Sequence, residues 1–205
     1  MKQGTEEWLK ARLGKVTASR VYDILPGTRG YKASRKNYMA ELVCERLTGA
    51  YQDMYVSAPM QWGTDTEPMA RGAYEAKTGH VIEEVGFVDH PSIDMFGASP
   101  DGLVPPSGGV EIKCPNTATH IELLTGGSID DKYMTQMYVN MMCNERKWWD
   151  YIDYDPRLPE GLDYYSKRID WNDSKIAEIT VEVRLFLAEL DAMEQKLRTI
   201  AGGAK

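Results

Sequence analysis

Two acidic residues and a lysine in the middle of the sequence have the spacing of a metal-assisted hydrolytic site. Asp101 follows a proline, and Glu111 and Lys113 stand two positions apart after the Pro/Gly-rich segment 105–109. Alternate side chains of a strand share one face, so Glu111 and Lys113 would point one way and Ile112 the other. A turn at 105–109 would return the chain beside Asp101. The spacing therefore predicts a hairpin that carries two carboxylates and one ammonium.

These three side chains fit the hydrolysis of a phosphodiester with the help of Mg²⁺. Hard divalent cations take oxygen ligands, which Asp101, Glu111 and the main-chain carbonyl of Ile112 could provide. An ammonium at Lys113 could orient an attacking water, help to deprotonate it and neutralise charge that grows on the phosphate. An exposed hairpin with alternating charges would show the same bare pattern, so the pattern alone leaves both interpretations open.

The elements that must position these residues follow from caps, turns and periodicity. Helices are expected over residues 5–13, 17–24, 34–49, 67–77 and 132–143, and from 173 to about 200, with Thr5, Thr17, Ser34, Thr66 and Asp173 as N-caps. Strands are expected over 81–88, 95–98, 110–114, 148–155 and 164–169. Apolar residues at three-and-four spacing in the last helix predict a buried stripe or a subunit contact. Glycines at positions 97 and 102 leave room for close backbone approach around the hairpin.

Length and composition limit the class of protein. A chain of 205 residues with 42% hydrophobic content is expected to form one domain over 1–205. Residues 1–15 are polar and charged, and no stretch approaches the ~20 apolar residues of a membrane span, so we expect a cytoplasmic protein without membrane contact. Cys44, Cys114 and Cys143 form no C-x-x-C pair, which argues against a disulfide framework, a zinc ribbon or an iron–sulfur cluster.

The net charge of −7 is opposite in sign to the positive charge expected of a nucleic-acid-binding protein, because phosphates are bound by Lys and Arg. The charge is uneven, because the segment from Lys10 to Arg46 is locally basic. This segment could contact DNA, or it could be a set of ordinary solvated helix surfaces.

Five motifs in a fixed order resemble the PD-(D/E)XK nuclease superfamily, and in particular its branch of phage lambda exonuclease and YqaJ-type viral recombinases. The resemblance covers about the first 145 residues. Its motifs are Glu7-Trp8 through Arg12-Leu13-Gly14 with Val16-Thr17-Ala18-Ser19, Trp62-Gly63-Thr64-Asp65-Thr66-Glu67 with Ala70-Arg71, Ser99-Pro100-Asp101-Gly102-Leu103, Glu111-Ile112-Lys113-Cys114-Pro115, and Tyr133 with Gln136-Met137-Tyr138. The resemblance implies an α/β (α+β) restriction-endonuclease-like core, with a central mixed β-sheet flanked by helices.

The resemblance also implies roles for individual residues. Asp101 and Glu111 match the metal-binding carboxylates of the family, Lys113 its catalytic lysine, and Gln136 a helical glutamine that shapes the metal and water site. Glu67 matches an acidic residue from a neighbouring helix, although its position also suits an ordinary first-turn glutamate favoured by the helix dipole. Two Mg²⁺ ions per site are implied, with Mn²⁺ as a possible substitute.

A second set of residues is implied to receive the DNA end. Arg12 and Ser19 match a pocket for the terminal 5′-phosphate, with Ser99 as a further candidate for the same region. Arg29, in a Pro/Gly loop, is a candidate DNA contact. Trp8, four residues before Arg12, could stack on a base at a frayed end or could be a core tryptophan.

The implied function is a 5′-to-3′ exonuclease that digests one strand of linear double-stranded DNA and leaves 3′ overhangs for recombination by strand annealing. A homotrimeric ring around the duplex is implied, with the basic segment lining its channel and a single-strand annealing protein as partner. Two alternatives remain open: an endonuclease or repair nuclease of the same superfamily without end specificity, and a non-catalytic DNA-binding module. A helicase-linked nuclease with an iron–sulfur cluster would need a fourth suitable cysteine.

Overall fold

A computed structural model describes residues 1–51 and 56–203 of the chain. The α-helices are α1 (Glu6–Arg12), α2 (Val21–Ile24), α3 (Ala33–Thr48), α4 (Ala58–Thr78), α5 (Thr117–Leu124), α6 (Asp131–Asn144) and α7 (Asp173–Gly203), and a 3-10 helix covers Ala18–Arg20. The strands are β1 (Val16–Thr17), β2 (Pro26–Gly27), β3 (Gly30–Tyr31), β4 (Val88–Asp89), β5 (Phe96–Ala98), β6 (Gly102–Val104), β7 (Gly108–Lys113), β8 (Trp148–Tyr154) and β9 (Tyr164–Asp170). None of the described helices is both long enough and apolar enough to cross a membrane.

A four-stranded mixed sheet in the order β6-β7-β8-β9 lies at the centre of the fold. β7 pairs antiparallel with β6 and parallel with β8, while β9 closes the far side antiparallel to β8. In this register Glu111 faces Tyr151 and Lys113 faces Asp153 across β7 and β8. Partners in a pleated sheet share a face, so these four side chains stand side by side.

Helices cover both faces of this sheet. On one face, Ala70 and Tyr74 of α4 pack with Val110 and Ile112 of β7. On the other, α6 packs Met137 and Met141 against β8, with Leu123 of α5 in the same cluster. The expected α/β architecture, a central mixed sheet flanked by helices, is confirmed.

A second core lies around a smaller sheet in the order β1-β5-β4. Phe96 of β5 packs there with residues of α2, α3, α6 and α7. The apolar stripe of α7 enters this core through Phe186 and Leu190, which are fully buried. Beyond Leu190 the same stripe is exposed, since Met193 and Ile200 are 43% and 60% accessible.

Several predicted boundaries are confirmed. Thr5 caps α1 by accepting a hydrogen bond from the Trp8 amide at 3.3 Å, and Gly49 ends α3 in the left-handed conformation with φ of 69°. The predicted strands at 110–114, 148–155 and 164–169 correspond to β7, β8 and β9 within two residues at each end. The hairpin around Asp101 and Glu111 is formed by β6 and β7.

The predicted helix over 67–77 was too short. α4 begins at Ala58, because Ser57 caps it by accepting a hydrogen bond from the Met60 amide at 3.4 Å. Thr66 is therefore buried inside the helix rather than at its cap, and Pro68 lies in the helix interior. A proline in an otherwise well-packed helix removes one backbone hydrogen bond without ending it.

Three other predicted caps were wrong. Thr17 and Ser34 make no capping hydrogen bond, since Thr17 lies in β1 and α3 begins one residue before Ser34. The cap of α7 is Asn172, whose Oδ1 accepts from the Lys175 amide at 3.0 Å, while Asp173 is already the first helical residue. Only at α7 does a neighbouring polar residue take the capping hydrogen bond, because the 3-10 helix, α2 and α3 begin without a side-chain cap.

Two elements differ in kind from the prediction. Residues 81–88 form only an isolated bridge, at Glu83 opposite Leu103, before β4 begins at Val88. α5 was not predicted, although Asn116 caps it by accepting from the Thr119 amide at 3.0 Å.

Candidate active site

The structure brings Asp101, Glu111 and Lys113 together at the end of the β6–β7 hairpin. Asp101 immediately precedes β6, and its Oδ2 accepts a hydrogen bond from the Ile112 amide at 2.7 Å. This bond ties the carboxylate to the part of β7 that extends beyond its pairing with β6. The Lys113 Nζ lies 2.5 Å from Glu111 Oε1 and 3.9 Å from Asp101 Oδ2. One ammonium therefore bridges two carboxylates.

The face of β7 that carries Glu111 and Lys113 is covered, contrary to the interpretation as an exposed charged hairpin. Glu111 has no accessible surface, because α6 packs over it. From α6, the Asn140 Nδ2 donates a hydrogen bond to Glu111 Oε2 at 3.1 Å. Lys113 retains partial exposure, with 24% of its side chain accessible. Access to the site is thus from the Lys113 end of the strand.

Burial and mutual charge shift the ionisation of this pair. Removal from water raises the pKa of Glu111 to about 8, against the opposing effect of the Lys113 ammonium, and the Asp101 charge adds to the rise. Burial alone would lower the pKa of Lys113, but the two carboxylates outweigh it and raise that pKa. Lys113 is consequently held as an ammonium that can donate hydrogen bonds.

Glu67 reaches the same site from α4. Its Oε1 accepts from Arg71 Nη2 at 2.8 Å, one helical turn further along. Its pKa is raised, chiefly by burial and then by the neighbouring charge of Asp101. Glu67 and Asp101 line the same cavity, so Glu67 brings a third carboxyl group to the site.

An open cavity of about 1060 Å³ lies in front of these residues. Its walls include Trp62, Glu67, Asp101, Lys113, Tyr133 and Arg157. The Tyr133 ring from α6 lies 5.1 Å from the Lys113 ammonium, and the Arg157 guanidinium lies 4.5 Å from the Trp62 ring. The cavity therefore combines aromatic and cationic side chains beside the carboxylates, which suits a polyanionic substrate.

Gln136 lies between the two α6 residues that contact the site. Tyr133 and Asn140 are three residues before it and four after it, so all three share one helix face. Gln136 is half-buried, and its side-chain amide makes no hydrogen bond with the residues that the structure describes. It shares the helix face of Tyr133 and Asn140 but is not among the residues that line the cavity.

The donor set suits a hard cation. Glu111 Oε1 is buried and lies close to the Lys113 ammonium, but the geometry of that contact is not that of a hydrogen bond. This oxygen is therefore an acceptor without a hydrogen-bond donor among the described residues. Asp101 and the Ile112 carbonyl would add hard oxygen ligands. Within residues 1–51 and 56–203, no three His, Cys, Asp or Glu side chains alone form a metal-binding group. Magnesium commonly keeps several waters and substrate oxygens, so two carboxylates and a carbonyl fit it.

Three residues predicted to receive the DNA end form one cluster. The Ser99 Oγ accepts hydrogen bonds from Trp8 Nε1 at 2.9 Å and from Arg12 Nη1 at 3.0 Å. The Arg12 guanidinium lies 4.1 Å from the centre of the Trp8 ring. Burial lowers the pKa of Arg12 without neutralising it in any accessible range. Trp8 is only 9% accessible, so here it supports Arg12 and Ser99 from within the fold.

Ser19 and Arg29 lie outside this cluster of hydrogen bonds. Ser19 is exposed in the 3-10 helix that follows β1, and Ser99 follows β5. Because β1 and β5 run parallel, with Thr17 opposite Gly97, both serines lie at the same edge of that sheet. Arg29 is exposed at the turn between β2 and β3.

The basic segment offers less free positive charge than its sequence suggests. Most of its cations make ion pairs inside the chain: Lys10 with Glu6, Lys15 with Asp89, Arg20 with Asp23 and Glu41, Arg35 with Glu189, and Arg46 with Asp191 and Glu194. The other cations of the segment make no ion pair within the described part of the chain: Arg12, Arg29, Lys32 and Lys36. Among them, the Arg12 guanidinium donates to the Ser99 hydroxyl and stacks on the Trp8 indole.

The two glycines beside the hairpin serve the packing of the chain itself. A Cβ at Gly97 would meet the Val88 carbonyl and the Phe87 ring, and a Cβ at Gly102 would meet the Ile82 side chain. The close backbone approach expected at these glycines is therefore made by neighbouring segments of the same chain, residues 82 and 87–88.

Sequence reasoning missed a buried polar network next to the site. The His120 Nδ1 lies 2.5 Å from Asp153 Oδ1, and its Nε2 donates to the Leu162 carbonyl at 2.8 Å. Tyr151 donates its hydroxyl proton to Asp153 Oδ2 at 2.9 Å. Asn140 was missed too. The one signal of Asn140 in the sequence is its spacing of four residues from Gln136. For the network, the spacing of two between Tyr151 and Asp153 indicates a shared strand face, but it does not indicate His120 as the partner of Asp153.

Comparison with known structures identifies related proteins. An alkaline exonuclease (LHK-Exo) from Laribacter hongkongensis is 51% identical, over 98% of this chain and 100% of that chain, with a TM-score of 0.92. The same values hold for the structure of LHK-Exo in complex with dAMP. A phage-related exonuclease from Haemophilus somnus 129PT has a TM-score of 0.69 at 14% identity, over 89% of this chain and 96% of that one, a likeness of fold alone. No curated protein sequence matches the chain.

The mixed α/β architecture with its carboxylate–lysine site is therefore a nuclease fold. Residues 7–147 match the model of the YqaJ-like viral recombinase domain, and the chain belongs to that family. The matched range contains Arg12, the β6–β7 hairpin and Gln136, in agreement with the motifs that predicted the family.

Proposed function

We propose that this protein is a magnesium-dependent 5′-to-3′ exonuclease that acts on linear double-stranded DNA. The observation that carries the proposal is the bridging of Asp101 and Glu111 by the Lys113 ammonium beside a cavity large enough for a DNA end. The 51% identity to an alkaline exonuclease supports the reaction class. The product would be duplex DNA with a 3′ single-stranded overhang.

Asp101, Glu111 and the Ile112 carbonyl would hold Mg²⁺, with two ions per site and Mn²⁺ as a substitute. Glu67 would position a second ion or a water, since it lines the same cavity as Asp101 from a separate helix. When bound, the ions would supply positive charge that polarises the scissile phosphate and favours ionisation of the attacking water.

The residues of the chain then account for positioning and charge. Lys113 donates hydrogen bonds to the attacking water or to a phosphate oxygen and offsets the negative charge that develops there. Gln136 orients the water from α6. The water oxygen forms a bond to phosphorus, the bond from phosphorus to the 3′-oxygen breaks, and that oxygen gains a proton. The released nucleotide carries a 3′-hydroxyl, and the shortened strand carries a new 5′-phosphate.

The new 5′-phosphate is what the cluster around Ser99 would bind. Arg12 would pair with the phosphate bidentately, while Ser99 and Ser19 add hydroxyl donors at the same sheet edge. Trp8 holds the guanidinium in place by stacking and by its hydrogen bond to Ser99. Arg29 would contact the DNA further out. The dAMP complex of LHK-Exo supports a site for a nucleoside 5′-monophosphate in such a fold.

Assembly as a homotrimeric ring is part of the proposal. The exposed apolar residues at the end of α7, including Leu197 and Ile200, offer a surface that another copy could cover. Size-exclusion chromatography with light scattering would then give three times the chain mass of 23.2 kDa. A mass of one chain at micromolar concentration would contradict the ring.

A single-strand annealing protein in the cytoplasm would receive the 3′ overhang that the nuclease leaves.

The test compares linear duplexes with and without 5′-phosphates against a covalently closed circle, in Mg²⁺. The wild type should degrade only the 5′-ended strands of the phosphorylated linear DNA. Cutting of the circle would instead identify an endonuclease without end specificity, and binding without cutting would identify a DNA-binding module.

Two variants assign the roles within that assay. Lys113→Met should lower the rate by on the order of 10²-fold or more, because it removes the charge that stabilises the transition state. Lys147→Met is the matched control, since the exposed Lys147 ammonium lies 4.8 Å from the Trp171 ring, outside the cavity. Arg12→Gln should lower kcat/KM about 10-fold or more on phosphorylated ends. An unchanged kcat/KM on phosphorylated ends would contradict the phosphate pocket.

A further inference from the structure

Asn140 is a buried polar residue for which the proposed reaction has no assigned use. It has no accessible surface and lies in the middle of α6, where the neighbouring Val139, Met141 and Met142 belong to the hydrophobic cores. Its Nδ2 donates to Glu111 Oε2 at 3.1 Å, across 29 residues of sequence. A tertiary hydrogen bond from a core position to the most buried carboxylate of the site requires an explanation.

The orientation of the Asn140 amide follows from its partner. The form of Glu111 that would bind a cation is the ionised carboxylate, which only accepts hydrogen bonds, so in that form the nitrogen of the amide faces Glu111. The Asn140 Oδ1 is then buried without a donor among the residues that the structure describes. An unmatched buried carbonyl is unfavourable, so a purely structural position would be served as well by an apolar residue of similar volume.

The two oxygens of Glu111 are held by different groups. Lys113 lies 2.5 Å from Oε1 on the open side of the site, and Asn140 contacts Oε2 on the α6 side. The last torsion of a glutamate is broad and weakly restrained on its own. The Asn140 contact fixes it, and it leaves Oε1 turned toward the space in which Lys113 and Asp101 meet.

We propose that Asn140 is a positioning residue that holds the Glu111 carboxylate in the orientation that ligates the divalent cation. This inference rests on the proposed function, since the ligand role of Glu111 is part of it. Groups that hydrogen-bond a metal ligand set its direction, and their loss typically weakens metal affinity or activity about 10–100-fold. Asn140 would act in this way from the helix that also carries Tyr133 and Gln136.

The experiment measures the Mg²⁺ dependence of Asn140→Leu and Asn140→Ala. Each variant is assayed for the Mg²⁺ concentration that gives half-maximal cleavage, and for Mg²⁺ binding by calorimetry without DNA. Both constants should weaken about 10-fold, with kcat at saturating Mg²⁺ changed only a few-fold. Asn144→Ala is the matched control. Asn144 lies one turn further along α6, away from Glu111, and its Nδ2 donates to the main-chain carbonyl of Asn140 at 2.8 Å.

If the Asn140 variants fold and keep the wild-type midpoint and dissociation constant for Mg²⁺, the inference is overturned. A change in Tm would not rescue it, because a purely structural role of Asn140 would also change Tm. If both variants fail to fold, the side-chain amide resonances of Asn140 in the wild type decide the matter. They should move on Mg²⁺ titration with the calorimetric midpoint, and their constancy would overturn the inference.

The outcomes separate this inference from the proposed function. A wild type that binds Mg²⁺ but cleaves no DNA overturns the nuclease proposal, and the calorimetric comparison still tests Asn140. A wild type that binds no Mg²⁺ overturns both. A wild type that cleaves DNA, with 140 variants that bind Mg²⁺ normally, overturns only the role of Asn140.

Discussion

At the scale of single residues, Glu111 stands out because its surroundings favour a proton. It is fully buried, its pKa is raised to about 8, and its counter-ion Lys113 is itself held protonated by the neighbouring carboxylates. A cation that binds Glu111, as proposed, must therefore displace a proton below this pKa and loosen the ion pair with Lys113 above it. Glu111 would then be a poor cation ligand in acid and an effective one in base.

This ionisation predicts how Mg²⁺ activation depends on pH. Because the pKa of Glu111 is raised to about 8, its protonated form dominates below that pH. Mg²⁺ then competes with one proton for the carboxyl group. The Mg²⁺ midpoint should fall about tenfold per pH unit between pH 6 and 7.5 and become constant above pH 8 to 9. Nuclease assays over a grid of pH and Mg²⁺ give the midpoint directly. A midpoint independent of pH across this range would contradict the assignment of Glu111 as a ligand.

The convergence of Asp101, Glu111 and Lys113 could be predicted because their positions follow local rules. The alternation along β7 places Glu111 and Lys113 on one face, and the turn at 105–109 returns the chain to Asp101. The contact of Asn140 with Glu111 could not be predicted in this way, because it crosses a helix–strand packing that no local pattern encodes. The burial of Glu111 was missed for the same reason, since α6 supplies the cover.

At the scale of secondary-structure elements, a polar network joins α5 to β8 beside the site. His120 of α5 is fully buried between Asp153 and the Leu162 carbonyl, and Tyr151 completes the partners of Asp153. Asp153 lies opposite Lys113 in the register of β7 and β8. The network therefore fixes α5, which was itself missing from the sequence prediction.

Removal of His120 should strongly destabilise the fold. His120→Leu leaves the Asp153 carboxylate buried without its main partner, which costs about 3–5 kcal/mol in comparable buried pairs. Chemical denaturation measures the change in the free energy of unfolding. His80→Leu is the control, since His80 is exposed and should change stability by less than about 1 kcal/mol. Equal stability of the two variants would show that the network has no such role.

The element boundaries show where local signals compete. Thr5 and Gly49 were predicted because each has one clear partner or conformation. The start of α4 was missed because Pro68 is typical of a first turn, whereas Ser57 had already begun the helix three turns earlier. α5 is short, and packing of His120 and Leu123 stabilises it more than any repeating pattern.

At the scale of the whole molecule, the acidic net charge and the proposed DNA substrate are reconciled by the placement of a few cations. The basic segment is largely neutralised by ion pairs, among them Arg35 with Glu189 and Arg46 with Asp191. These cations connect α3 to α7 and stabilise the fold. Arg12 is left beside Ser99 without an acidic partner within ion-pair distance among the described residues. The sequence could show the basic bias but not which of its charges are free.

This division predicts the salt dependence of DNA binding. Each phosphate contact contributes about −0.9 to the slope of log K against log salt concentration for duplex DNA. Arg12→Gln should therefore reduce the steepness of that slope by about 0.9, and Arg46→Gln should leave it unchanged. Binding is measured by fluorescence anisotropy in Ca²⁺ at several salt concentrations. A change of slope in Arg46→Gln but not in Arg12→Gln would contradict the account.

Whether Glu111 belongs to a metal-dependent nuclease site, as proposed, is tested by the release of mononucleotides from DNA. Mg²⁺ is added to the protein with a 5′-phosphorylated linear duplex, and the release of mononucleotides is followed for the wild type, Glu111→Gln and Glu160→Gln. We expect release only after Mg²⁺ addition, slowed on the order of 10²-fold or more in Glu111→Gln. Glu160 is exposed and lies outside the cavity, so its variant should stay within a few-fold of the wild type. Unchanged release by Glu111→Gln, or equal release by the wild type in EDTA, would contradict the account.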